Sequence, residues 1–239
     1  MTPMHIDQAA TPAGGQAKAA CTTAAKSNGI VVRLAGEIED QLVLDLCDEI
    51  ELAIEYYHYR EIEIRINSPG GSVAALEHYM DRLKRWRRGK ELVIATTAMS
   101  TVSSAAAVIL SLGTIGHRRA HASARLLYHN VRTRMPGGGY GLTAEQLLTI
   151  GKGFDGIDKH ISGELLRHIG PLASTRGKIR SYNPGAAAAA GEAGPFAWIN
   201  LDPRQEGQLE EHYSKLNLLD TPIDPWTARD MLLIDEVIE

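Results

Sequence analysis

Two residues in the sequence have the types and the setting of a nucleophile and its base. Ser104 separates the run ELVIATT from the apolar segment AAAVILS, so we expect it at the first turn of a buried helix that follows a strand. Free backbone N–H groups point outward at such a helix start. His129 closes the next apolar strand, ARLLYH. The pattern indicates attack of a serine on a carbonyl with histidine as the base, and it leaves Ser103 as an alternative nucleophile.

The same chemistry needs N–H groups that stabilise the oxyanion. One is available at Ala105, the residue after the serine. Gly70 and Gly71 follow the strand EIEIRIN just as Ser104 follows ELVIATT, and ligands of parallel α/β sheets bind where strands end and helices begin. A glycine N–H can approach a substrate closely because no Cβ intervenes. We therefore expect the two strand ends to share one oxyanion site.

The elements that position these residues follow from hydrophobic periodicity. Alternating or β-branched runs predict strands, and apolar residues at every fourth position, as at Leu42, Leu46, Ile50 and Ile54, predict helices. Strands and helices alternate along the chain, which is typical of βαβ units and a mainly parallel sheet. A long helix is predicted from about 143 to 169, and a short helix with Asp224 as its N-cap precedes a terminal strand.

Composition divides the chain into three parts. Residues 1–28 have no periodicity and are predicted to be a flexible tail. Residues 29–239 are predicted to form a single domain. Within it, the segment 171–215 is interpreted as an insertion, and residues 171 to about 200, which are basic and then alanine- and glycine-rich, are expected to be partly disordered.

Charge and motifs argue against several function classes. The net charge is −4, so nucleic acid is not an expected partner, and the basic run KRWRRGK is interpreted as a solvated helix end. No apolar run is long enough to span a bilayer, and the N-terminus lacks the apolar core of a secretory signal, so a cytoplasmic protein is expected. The sequence has no phosphate-binding loop and no metal-binding motif, and we predict neither cofactor nor metal.

Four stretches of the sequence resemble the ClpP family of serine peptidases. They are LAGEIED (34–40), INSPGGSV (66–73), residues 100–131 and PWTARDMLLIDEV (225–237). The separation of 25 residues between Ser104 and His129 also matches the family's spacing. The resemblance implies a ClpP/crotonase-like α/β fold of repeated ββα/βαβ units, with a mainly parallel sheet and a long protruding helix.

The resemblance also implies roles for individual residues. Ser104 corresponds to the nucleophile, His129 to the general base, and Gly71 and Ala105 to the oxyanion N–H donors. The third member of the family's triad is an aspartate before the C-terminal pattern, and counting back from LID (233–235) places it at Asp220.

Asp224 is the alternative to Asp220, although a role as N-cap already accounts for Asp224. The sequence departs from the family around the nucleophile, where it has STVSSA in place of Gly-x-Ala-Ala-Ser-Met. It departs again after the histidine, where Asn130 and Val131 replace Gln-Pro. These departures bear on substrate preference and activity and not on the fold.

By resemblance, the protein is expected to be a serine endopeptidase that cleaves unfolded polypeptides as the proteolytic subunit of an ATP-dependent Clp-type protease. Stacked homo-oligomeric rings, commonly heptameric, are implied. An AAA+ unfoldase is implied as the ATP-using partner, because this chain has no nucleotide motif.

Three alternatives remain at the level of sequence. The first is a catalytically inactive structural subunit of a mixed ring. The second is a crotonase-type acyl-CoA enzyme, which would need no Ser–His pair. The third is a peptidase with a Ser–Lys dyad.

Overall fold

The computed structural model describes residues 29–88, 91–132, 143–183, 185, 194–202, 207–216, 220 and 222–239. The predicted tail, 1–28, lies outside the described residues. The strands are β1 (Gly29–Ala35), β2 (Glu61–Ser68), β3 (Val93–Ser103), β4 (Arg118–His121), β5 (Arg125–Leu127), β6 (Lys178–Tyr182), β7 (Phe196–Asn200) and β8 (Glu236–Ile238). The helices are α1 (Asp40–Glu55), α2 (Val73–Arg87), α3 (Ala105–Ser111), α4 (Ala144–Arg176), α5 (Gln208–Leu216) and α6 (Pro225–Asp230).

Six strands form one parallel sheet, as the alternation of strands and helices predicts. Its order is β1-β2-β3-β4-β8, and β5 also pairs with β3. Because β3 has 11 residues, it is long enough to pair with two short strands at different positions along its length. Its middle pairs with β4 through Thr96–Ala98, and its end pairs with β5 through Thr101–Ser103. The end of β3 therefore lies beside the strand that leads to His129.

The core lies between this sheet and the helices that connect its strands. The predicted apolar face of α1 is confirmed, since Leu46, Ile50 and Ile54 are buried in it. The side chain of Ser72 caps α2 by accepting a hydrogen bond from the N–H of Ala75 at 3.2 Å. All seven residues of α3 are buried, as its small and aliphatic composition predicts.

A buried ion pair attaches the last strand to the sheet. Arg118, at the start of β4, has no solvent-exposed side-chain surface. Its guanidinium donates to both carboxylate oxygens of Asp235, at 2.6 and 2.9 Å, and also to the carbonyl of Leu232 at 3.0 Å. The carboxylate of Asp235 further accepts the backbone N–H groups of Gly116 and Arg118. Both charges are thus extensively hydrogen-bonded, as buried charges must be.

The segment after residue 170 contains regular secondary structure. The long helix is confirmed, but α4 continues through Pro171 to Arg176, and β6 and β7 form an antiparallel pair. Lys178–Tyr182 and Phe196–Asn200 are therefore regular structure within the predicted insertion, whose partial disorder stays a prediction because residues 184 and 186–193 lie outside the described residues. Aromatic contact between Tyr182 and Phe196 gives this hairpin an apolar side that composition alone does not show.

The described part of the chain has neither a membrane-spanning helix nor a metal-binding cluster. No helix there is long and apolar enough to cross a bilayer. No group of three or more His, Cys, Asp or Glu side chains is arranged there to hold a metal ion.

Candidate active site

Ser104 occupies the sharp turn between β3 and α3. It is the N-cap of α3, with φ 56° and ψ −128°, a conformation that non-glycine residues rarely adopt. Its N–H donates to the carbonyl of Leu127 at 2.7 Å, which ties the turn to β5. The predicted position at a helix start after a strand is confirmed. Strained backbone of this kind concentrates at functional sites, where the surrounding structure holds it in place.

Gly70 is in close contact with this turn. A Cβ on Gly70 would lie 2.6 Å from both the carbonyl oxygen of Ser103 and the Cβ of Ser104. The φ of Gly70 is also positive, at 92°. Both the close approach and the backbone conformation therefore require glycine here.

The neighbouring Gly71 forms a parallel bridge with Ile38. The flanking hydrogen bonds run from the Ile38 N–H to the Gly70 carbonyl and from the Ser72 N–H to the Ile38 carbonyl, each 2.7 Å long. In this pattern, the N–H of Gly71 faces away from Ile38. The N–H of Ala105, the first residue of α3, has no acceptor within its helix. Both groups thus have the backbone setting expected of oxyanion donors.

One small cavity, of about 60 Å³, brings four of the predicted site residues together. Ser104, His129, Gly71 and Ala105 all line it, whereas Ser103 is not among its lining residues. The remaining walls come from α2, α3, α4 and the segment after β5, through Val73, Leu76, Val108, Tyr128, Val131, Arg132, Asp158 and Ile161. The expectation that the strand ends after β2 and β3 meet at one site agrees with this arrangement.

His129 lies two residues beyond the end of β5. Its Nδ1 lies 2.6 Å from the carbonyl oxygen of Asn130. A carbonyl only accepts hydrogen bonds, so in this contact Nδ1 carries the hydrogen and Nε2 is the free base nitrogen. That tautomer suits a proton acceptor. Among the described residues, no hydrogen bond joins Ser104 to His129, and such contacts are often long in unliganded sites.

Tyr128 fixes the strand end beside His129 to the helix that follows Ser104. Its buried hydroxyl is 2.7 Å from the hydroxyl of Ser111 and donates to the carbonyl of Ala107 at 3.2 Å. Burial raises the pKa of Tyr128 well above its usual value, so the phenol stays protonated. These contacts hold β5 against α3 and so limit how far the base can move from the nucleophile.

The two candidate third members lie elsewhere. Asp220 has a positive φ of 39°, and its exposed carboxylate pairs with the guanidinium of Arg132. Asp224 is the N-cap of α6, as predicted, and accepts the Thr227 N–H at 2.9 Å and the Thr227 hydroxyl at 2.7 Å. Neither aspartate lines the cavity, although Arg132, the partner of Asp220, does. The assignment of Asp220 to the triad therefore stays a prediction.

A third aspartate, Asp158, lines the cavity and was not predicted from the sequence. It lies on α4, and its Oδ1 accepts the N–H of Val131 at 3.0 Å. Burial raises the pKa of Asp158, an effect that the Val131 N–H and the charge of His129 partly offset. No motif marks this residue, because it comes from a helix 29 positions after His129 and reaches the site only through the fold.

Comparison with known proteins identifies the family of this chain. The family model described as Clp protease matches residues 14–170. The chain is 30% identical over 140 residues to the ATP-dependent Clp protease proteolytic subunit 2 of Corynebacterium glutamicum, which covers 59% of this chain and 65% of that protein. It is 33% identical over 117 residues to proteolytic subunit 1 of Corynebacterium jeikeium, covering 49% of this chain and 57% of that protein.

A shorter match is closer in sequence. Over 75 residues the chain is 43% identical to proteolytic subunit 4 of Rhodococcus jostii, which covers 31% of this chain and 37% of that protein. The matched region thus spans less than two thirds of the length of each of these three relatives.

Proposed function

Because this chain belongs to the Clp protease family, we propose that it is a serine endopeptidase whose nucleophile is Ser104 and whose general base is His129. The observation that carries the proposal is the shared cavity. It combines a serine at a strained strand-to-helix turn, a histidine whose Nε2 is free to accept a proton, and two backbone N–H groups without acceptors in their own elements.

The proposed reaction is acyl transfer in two stages. The Oγ of Ser104 attacks the peptide carbonyl while its proton passes to Nε2 of His129, and the N–H groups of Gly71 and Ala105 stabilise the oxyanion. His129 then protonates the leaving amine as the C–N bond breaks, which leaves an acyl-enzyme. Water, deprotonated by His129, hydrolyses the ester and restores Ser104.

We retain Asp220 as the proposed third member of the triad, in a state in which the carboxylate of Asp220 no longer pairs with Arg132. In the described arrangement, the hydrogen bond to the Asn130 carbonyl orients His129 instead. Loss of the orienting aspartate from a serine-protease triad lowers kcat by about 10⁴-fold, so full activity of the proposed site is expected only when Asp220 is free to orient His129.

We propose unfolded polypeptides as substrates and a Clp-type complex as the setting. The relatives are named ATP-dependent Clp protease proteolytic subunits, which supports a Clp complex, and we propose that this chain forms stacked rings with an AAA+ unfoldase as partner. Heptameric stoichiometry and a cytoplasmic location stay predictions.

Labelling with a fluorophosphonate probe tests the proposal. We expect one adduct on Ser104 in the intact mass of the wild-type protein, no adduct in Ser104→Ala, and full labelling in the matched control Ser103→Ala. Peptide hydrolysis by the wild type, and its loss in Ser104→Ala, would follow. Absence of any adduct in folded wild-type protein would contradict the proposal and favour a structural subunit.

A further inference from the structure

We propose that a second cavity, between the end of α2 and the second half of α4, binds a phosphoryl group, either as free phosphate or as a phosphate monoester. This cavity measures about 200 Å³, and none of its lining residues also lines the cavity at Ser104. The proposal therefore concerns a separate ligand site and does not rest on the peptidase chemistry.

The side chains around this second cavity carry an excess of positive charge. Lys84 and Arg87 of α2 and Arg167 of α4 line it, and Glu164 is the carboxylate among its lining residues. Burial and the charge of Arg87 lower the pKa of His168, which also lines the cavity, to about 4, so this histidine is neutral at pH 7. Three positive charges and one negative charge leave a net charge of +2. A phosphoryl group carries a charge of about −1.5 to −2 at pH 7 and would neutralise this excess.

Arg87 is the cation that most needs an anion. Its Nη2 donates to the carbonyl of Leu112, and its Nη1 lies 3.4 Å from Nδ1 of His168, so both of these partners are neutral. Among the described residues, no carboxylate pairs with Arg87, and the nearby Arg118 adds positive charge. A guanidinium in a partly buried position is normally stabilised by an anion beside it. The cavity is where such an anion can bind.

The guanidinium of Arg87 is held in place before any ligand binds. Nε2 of His168 lies 2.7 Å from the carbonyl oxygen of Gly113, so Nε2 carries the hydrogen and Nδ1 accepts from Arg87. The carbonyl of Leu112 fixes the other side of the guanidinium. A donor that is already ordered loses less conformational entropy when a ligand arrives, which favours binding.

The other two cations share a single carboxylate oxygen. Nζ of Lys84 and Nη1 of Arg167 each lie 2.7 Å from Oε1 of Glu164. An ammonium has three N–H donors and a guanidinium has five, so both side chains keep donors for a ligand. The side chains of Lys84 and Arg167 are 41% and 63% exposed, which leaves them room to turn toward phosphate oxygens.

The cavity also has an apolar wall, formed by the buried side chains of Met80, Leu83 and Leu112. This wall offers a surface for the organic part of a monoester, since burial of apolar area favours binding. A carboxylate ligand could use the same wall, but its single negative charge would leave the cavity with an excess of positive charge.

Isothermal titration calorimetry of the full-length protein at constant ionic strength tests the proposal with inorganic phosphate, phenyl phosphate and benzoate. We expect saturable binding of a phosphate compound with a dissociation constant below about 1 mM, and weaker binding of benzoate. Tighter binding of phenyl phosphate would identify a monoester as the ligand, and equal binding would identify free phosphate. The melting temperature should rise with the concentration of the bound compound.

Variants with effects of opposite sign test the assignment to this cavity. Arg167→Ala should weaken phosphate binding by about tenfold, because it removes a charged donor. Glu164→Gln should strengthen binding by about threefold or more, because it removes the competing negative charge. Arg85→Ala is the matched control at the same end of α2, since Arg85 does not line the cavity, and it should change the affinity by less than about twofold.

Three results would overturn the inference. The first is the absence of both saturable heat and a rise in melting temperature with either phosphate compound. The second is binding of benzoate as tight as that of phenyl phosphate. The third is equal weakening in Arg85→Ala and Arg167→Ala, which would indicate only diffuse attraction to a basic helix end. Arg87→Gln should abolish saturation, and if that variant fails to fold, Arg167→Ala and Glu164→Gln decide the question.

Discussion

Two arginine–aspartate pairs in this protein use the same chemical groups with opposite consequences. Arg118 and Asp235 meet inside the sheet, where the arginine side chain is fully buried and the aspartate side chain is 15% exposed. Arg132 and Asp220 meet at the mouth of the candidate active site, where the side chains are 58% and 60% exposed. Burial, and not the identity of the partners, decides how much each pair contributes.

The difference concerns what happens when one partner is lost. Removing a buried partner leaves an uncompensated charge in a low-dielectric region, and the bound backbone groups lose their acceptor as well. Removing an exposed partner leaves a charge that water solvates readily. The interior pair is therefore needed for the stability of the fold, whereas the pair at the mouth can exchange partners with little change in free energy.

The largest expected effect is on the interior pair. Asp235→Asn should lower the free energy of unfolding by about 3–5 kcal/mol, because Arg118 would stay buried without a counter-charge. Urea denaturation of the purified protein measures the change. Glu236→Gln is the matched control, since Glu236 pairs with Arg119 at the surface and its loss should cost less than about 1 kcal/mol. Equal losses in the two variants would contradict the distinction.

The same pair should appear in the pH dependence of stability. Burial opposes ionisation of Asp235, but the hydrogen bond and charge of Arg118 hold its pKa below the usual value. A lowered folded-state pKa gives stability that is fully present above the unfolded-state pKa of about 4 and is lost as pH falls through the folded-state pKa. Acid unfolding should therefore shift to higher pH in Asp235→Asn.

The second prediction compares a glycine packed against the turn at Ser104 with a glycine that has open space around it. Gly70→Ala should lower the free energy of unfolding by about 1–3 kcal/mol and strongly reduce fluorophosphonate labelling, because a Cβ would displace the turn at Ser104. Gly36→Ala is a matched control with nearly the same φ, 91°, and no atom within 4 Å of the added Cβ. If the two variants label equally, close packing at Gly70 does not position Ser104.

The smallest effect is expected at the mouth. Arg132→Ala should change the free energy of unfolding by less than about 1 kcal/mol, because both partners are exposed. Thermal unfolding measures this change. Arg119→Ala, which removes one partner of another surface ion pair, is the matched control. The rate of probe labelling sharpens the comparison further, because a marked increase in Arg132→Ala would mean that the freed carboxylate of Asp220 reaches His129.

The sequence predicts well those parts of the molecule that depend on local pattern. The apolar face of α1 and the turn at Ser104 are where periodicity and residue type place them, and Asp224 caps α6 as expected. The end of β3 is less predictable. It runs six residues beyond the apparent strand ELVIATT. The buried Thr96, earlier in β3, is accommodated because its hydroxyl donates to the carbonyl of Leu110 in α3.

Contacts between distant segments escape prediction altogether. No residue pattern indicates that Arg132 will bind Asp220, 88 positions later, or that Asp158 will accept the Val131 N–H. The hairpin of β6 and β7 is hidden for a similar reason, because its arginine and lysine side chains lie over aromatic rings and appear polar in the sequence. Such interactions exist only once the chain has folded.

The length of α4 has a consequence for local stability within one element. Its 33 residues extend about 50 Å, and the side chains buried along it begin only at Ile161. The turns before Ile157 are held by backbone hydrogen bonds and by the capping box of Thr143 and Gln146, and helix without tertiary packing opens readily. In an isolated chain, amide hydrogen exchange should be fast in these first turns and slow from Ile161 onward.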